Sequence, residues 1–235
     1  MIFYNLGDGY SSGCCTVNLC RFAHEDRKYF SMVEREHPDN RPGSFVNQLA
    51  ELYKANVITE AHHRQTIQKI ADSYSLYEAD ITSRNEEVIA FIGIPDLQSV
   101  YFDDDLQIRT LFGVTDDVKF LTHEYLFLDG KDEMYLSQSQ ENIYLKICEM
   151  RDRIAIEPQI AMLEDFVKKI STITKKVVLY RTTHLESLEL NLPKNVSFLN
   201  ESIVKILSKT HKPYRKGYFD IQANKTLTKE FLKLI

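Results

Sequence analysis

The chain has 235 residues, with Lys+Arg 29 against Asp+Glu 34 and a net charge of −5. Hydrophobic residues make up 43% and charged residues 27%, which excludes fibrous and wholly disordered classes. The acidic balance argues against a broad nucleic-acid-binding face, and no run of about 18 apolar residues offers a membrane span.

A prior of roughly 150 residues per domain suits one α/β unit. Such a domain buries about 70% of its unfolded surface, so no metal or disulfide is needed to hold it. Cys14, Cys15, Cys20 and Cys148 form neither a paired framework nor a CxxC zinc pattern. Met1–Tyr10 lacks the basic start and apolar core of a signal peptide. Reduced thiols in a cytoplasm are the expectation.

In chain order, Ile2–Leu6 reads as a buried strand ended by Gly7-Asp8-Gly9. Ser44 stands as an N-cap before a helical stripe of Phe45, Leu49 and Leu52. A weaker strand covers Asn56–Thr59, followed by a stripe of Ile67, Ile70 and Ala71. Val88–Ile92 is the clearest strand, terminated by Gly93 and Pro95. Ile160, Leu163, Phe166, Val167 and Ile170 make an amphipathic helix with Pro158 near its first turn. Strands at Val177–Tyr180 and Val196–Leu199 follow, then stripes at Ile203, Ile206 and Leu207, and at Leu227, Phe231 and Leu232. Strand–helix alternation with near-continuous apolar strands predicts a parallel sheet covered on both faces, with the first strand central.

The charged stretches near 20–42 and 103–140 depart from this alternation and read as insertions in one domain spanning 1–235. The acidic runs Asp103–Asp105 and Asp116-Asp117 lack the alternation and closing Glu of a calcium loop, and read as solvated.

Ligands of an open parallel α/β sheet bind beyond the carboxyl ends of its strands. The segments expected there are Gly7–Gly13, Ala61–Gln65, Gly93–Asp96, Thr182–His184 and His211–Gly217. They hold four of the seven histidines. A strand running into Gly-Asp-Gly-Tyr-Ser-Ser-Gly before a helix can present backbone N–H groups to an anion. The same turn can also be a tight connection that needs glycine for φ > 0.

Asn5-Leu6-Gly7-Asp8-Gly9-Tyr10-Ser11-Ser12-Gly13 resembles the first block of SGNH (GDSL-type) hydrolases, G-D-S-x-[ST]-x-G. His211 followed by Lys216-Gly217-Tyr218 resembles their last block, where the catalytic His precedes a K-G-[HY] turn. Pro42–Ala50 resembles the segment opening the first long helix. Val88–Asp96 resembles the third-block strand, as written in small SGNH-like proteins of tailed phages. The resemblance implies a three-layer α/β/α sandwich, similar to SGNH and flavodoxin-like folds, with a parallel sheet of about five strands. For a viral protein it would also imply a host cytoplasm.

Two triad positions depart from the family. The nucleophile position is Gly9 and the acid position is Ser208, so only His211 matches. The second-block Gly falls around His62-His63, and the third-block Asn has no counterpart in Gly93–Asp96. Glycine supplies no nucleophile, so the Ser-His-Asp mechanism does not operate as written. Two readings follow. In one, a degenerate SGNH-like protein binds a small polar or acyl-bearing ligand, or a partner, through Asp8, Gly9, Ser12, His62, His63, Gly93 and Asp96. In the other, an esterase or acyltransferase uses Ser11 as a relocated nucleophile and His211 as general base. Cys14 or Cys15 as a thiolate at a helix N-terminus is a further candidate. The histidines show no HxH or HxxxH spacing, so neither a metal nor a cofactor is assigned.

Overall fold

Five parallel strands form one sheet, in the order β2-β1-β3-β4-β5, with helices on both faces. The fold is a three-layer α/β sandwich. The computed structural model describes residues 1–7, 11, 38–61, 66–95, 97, 155–182, 188–211 and 220–235. The chain divides into two compact units, Met1–Leu97 with Glu157–Ile235, and Gln98–Ile156. The second unit lies almost wholly outside the described residues, as does the stretch 103–140.

The strands are β1 (Ile2–Leu6), β2 (Asn56–Thr59), β3 (Val88–Ile94), β4 (Lys176–Arg181) and β5 (Val196–Leu199). The helices are α1 (Phe45–Tyr53), α2 (Ile67–Asp72), α3 (Tyr74–Thr82), α4 (Ile156–Ile173), α5 (Ile203–Ser208) and α6 (Ile221–Phe231). Because side chains alternate across a strand, Tyr4, Ala90, Ile92 and Leu179 pack on the side of α2, α3 and α4. Phe3, Phe91, Val178 and Tyr180 pack on the side of α1, α5 and α6. Burial of both faces is why β1, β3 and β4 read as continuous apolar runs.

Several expectations need correction. The middle strand is β3, not β1, because two further strands are laid down on the β3 side while only β2 lies beyond β1. Gly93 does not end the third strand. It pairs with Tyr180, and the ladder runs on through Ile94 and Arg181 until Pro95, which has no N–H to donate. Leu52 is 62% exposed, since the buried arc of α1 is centred between Val46 and Leu49. At 100° per residue Leu52 lies roughly a quarter-turn off that centre. Leu232 follows the end of α6 and is also exposed. Helix α3 escaped the sequence reading because only Tyr77 and Ile81 of it are buried, while Leu76 faces solvent. Local i,i+4 pairs accompany it instead, Tyr74 with Glu78 at 2.9 Å and Asp80 with Arg84 at 2.7 Å.

The starts of α1, α2, α5 and α6 are capped by short polar side chains. The Ser44 hydroxyl accepts from the Asn47 N–H at 3.2 Å, as its position before Phe45 implied. Thr66, Ser202 and Asp220 do the same for α2, α5 and α6. The α1 start has a second tie, from the Phe45 N–H to Asn224 Oδ1 of α6 at 3.1 Å. Ser44→Ala is therefore expected to cost about 1 kcal/mol, read as a lower urea midpoint with an unchanged slope. A change below about 0.3 kcal/mol would mean that Asn224 alone suffices to hold this helix end. Among the described residues, no helix is long and apolar enough to cross a membrane.

Candidate functional site at the carboxyl edge

The strand order turns in opposite directions from β1 to β2 and from β1 to β3, so the topological switch point lies between the carboxyl ends of β1 and β3. Gly7 follows β1 at this point and Gly93 lies in β3 beside it. An added Cβ on Gly93 would lie 3.1 Å from the Gly7 Cα. Tyr180 pairs with Gly93 in register, and its ring tip covers both glycines. A Cβ on Gly93 would meet Tyr180 Oη at 2.9 Å and Cζ at 3.0 Å. A Cβ on Gly7 would collide with Ser11 Oγ and Tyr180 Oη, and would stand 2.7 Å from Ser11 Cβ. Gly7 does not adopt the left-handed backbone region. It is glycine because two hydroxyls occupy the space where a side chain would begin.

The ring of Tyr180 is held edge-on by Phe45 and Phe231, with centroids 5.4 and 5.3 Å away. Asn5 is fully buried and donates from Nδ2 to the Ser11 carbonyl at 3.0 Å, which pins Ser11. Asn5 Oδ1 accepts no hydrogen bond among the described residues. Next to Tyr180, Arg181 ends β4 opposite Ile94 and is 6% exposed. Burial lowers its pKa by penalising the charged form.

Ser11, the candidate relocated nucleophile, is fully buried against Gly7 and Tyr180. His211 follows α5 and is half-buried, with its N–H bonded to the Leu207 carbonyl at 2.8 Å. Its Nε2 lies 2.9 Å from the Thr226 hydroxyl of α6. Ser208, three residues earlier, is exposed at the end of α5. Among the described residues, the hydrogen-bond partner of the ring is Thr226. Asp8, Gly9, Ser12, His62, His63 and Asp96 lie outside the described residues, as do Cys14 and Cys15. Of the predicted site, then, Gly93 and Ser11 meet around the Tyr180 ring tip. Among the described residues, no three His, Cys, Asp or Glu side chains stand together as a metal site would require.

Tyr180, Asn5 and Thr226 were missed by the sequence reading. Asn5 had a signal, being the one polar residue in the run Ile2–Leu6. Tyr180 had none, since a tyrosine in an apolar strand reads as core until its register opposite Gly93 is known. No protein-family model matches the chain, and neither a curated protein nor a solved structure matches it.

Proposed function

We propose that this chain is a degenerate SGNH-like protein that binds a small polar or acyl-bearing ligand at the carboxyl edge of its sheet without hydrolysing it. The observation that supports this reading is the burial of Ser11, whose hydroxyl packs over Gly7 beside the Tyr180 phenol. A nucleophile must reach a carbonyl in line, and a fully buried hydroxyl does not. The His211 ring, bonded to Thr226, lacks the carboxylate that orients a triad imidazole among the described residues.

Incubation with a fluorophosphonate, which labels activated serines, tests the catalytic half. No covalent adduct is expected by mass spectrometry, and short acyl esters should hydrolyse at the blank rate with or without Ser11→Ala. An adduct that vanishes in Ser11→Ala would establish the relocated nucleophile instead, and one that vanishes in Thr226→Ala would place it on α6. Butyramide, an acyl compound with no ester to cleave, tests the binding half. Its addition should shift the amide resonances of Gly7 and Gly93, which are easily followed in a chain with only 8 glycines. Unmoved resonances at saturating butyramide would count against an acyl site at this edge.

A further inference from the structure

A cavity of about 410 Å³ opens on the opposite face of the sheet, between β1 and β2 and the helices α2 and α3. Its floor is Tyr4 and Ile58, which are register partners. Around them stand two carboxylates, Glu60 and Asp80, and two cations, Lys69 and Arg84. All four are partly exposed at the cavity. Their formal charges cancel.

The hydrogen-bonding groups are mixed in kind. Tyr4 bonds to Asp80, and its phenol pKa is raised by burial first and then by the negative charges of Asp80 and Glu60. Burial likewise raises Tyr77, whose phenol bonds to Ser73. Both phenols therefore stay protonated at neutral pH. Arg84 donates from Nη2 to Asp80 at 2.7 Å, yet its buried Nε has no acceptor among the described residues. A buried donor without a partner carries an unrecovered desolvation cost.

We propose that this cavity binds a neutral polyhydroxylated molecule of monosaccharide size. A hydroxyl both donates and accepts, so one sugar hydroxyl can accept from Lys69 or Arg84 while its proton goes to Glu60 or Asp80. A charged ligand would give up its hydration against a wall of no net charge. The apolar side of a sugar ring has Ile58 below it and Leu76 at the rim. The volume falls within the roughly 300–1,000 Å³ typical of small-molecule sites. Tyr180 covers the switch point from the other face of the sheet, so this site stands or falls independently of the carboxyl-edge reading.

The chain has no tryptophan, and Leu76 is 71% exposed. Leu76→Trp therefore places one fluorescent reporter at the rim. Titration of the full chain with D-glucose, D-galactose and D-mannose should give a saturable change for at least one hexose, in the millimolar range. Saturation-transfer NMR on the unsubstituted chain should identify the same sugar. Glu60→Gln should weaken that binding about tenfold, with the circular dichroism spectrum unchanged. Absence of saturable binding by all three hexoses in both measurements overturns the proposal. So does tighter binding of glucuronate, glucosamine or glycine, because the wall would then favour a charge or a zwitterion. Unchanged affinity in Glu60→Gln would move the sugar to another surface and overturn the site.

Discussion

Gly7→Ala is expected to destabilise the folded chain by about 3 kcal/mol, near the upper end of ordinary overpacking. The new methyl would be driven into Ser11 Oγ and Cβ and into the Tyr180 hydroxyl. None of these can retreat freely. The Ser11 backbone is tied to Asn5 at 3.0 Å, and the Tyr180 ring is wedged between Phe45 and Phe231. Urea unfolding should show a lower midpoint without a changed slope. The cause can be isolated by a second substitution. Ser11→Gly in the same chain should recover a large part of the loss, because it removes two of the three nearest atoms. Tyr180→Phe should recover less, because it removes one. Contacting positions are expected to be non-additive in this way. If both rescues fail and the losses simply add, crowding is not the reason for glycine at this position.

Phe231→Ala should cost more, about 4 kcal/mol, the usual range for emptying a buried aromatic site. Phe231 has no solvent exposure and joins three elements. It stacks on Phe45 of α1 at 4.3 Å and 17°, meets Tyr180 of β4 edge-on at 5.3 Å, and touches Phe91 of β3 at 6.4 Å. Its loss leaves a void beside the Tyr180 ring that α1 and the sheet are too well packed to close. Two readouts follow: a fall in the urea midpoint, and faster hydrogen exchange at the Gly7 and Gly93 amides as Tyr180 loses one of its supports. Phe231→Leu should cost distinctly less, since it refills most of the volume. Equal losses for Ala and Leu would point to the stacked geometry with Phe45, rather than buried volume, as the larger contribution.

Ile2–Leu6, Asn56–Thr59 and Val196–Leu199 form strands with the bounds read from the sequence. Short apolar runs set off by Gly, Pro and charged residues were sufficient there. The Ser44 cap was equally legible, because capping is decided within three residues. Helix α3 was not, since its short buried stripe of Tyr77 and Ile81 is hard to separate from chance. The carboxyl-edge residues divide in the same way. Gly93 and Ser11 drew notice through motif position, but their shared partner Tyr180 lies far along the chain.

By itself, then, the sequence determined the class of fold. Two-sided burial requires apolar strands, and helical stripes between them require crossovers, so a covered parallel sheet is the consistent arrangement. Tertiary structure alone decided what occupies the switch point and what lines the cavity opposite. Pairing of Gly93 with Tyr180 and of Tyr4 with Ile58 sets which side chains meet. A slip of one residue would send each to the other face. Such register is a property of contacts between distant segments, and no local pattern carries it.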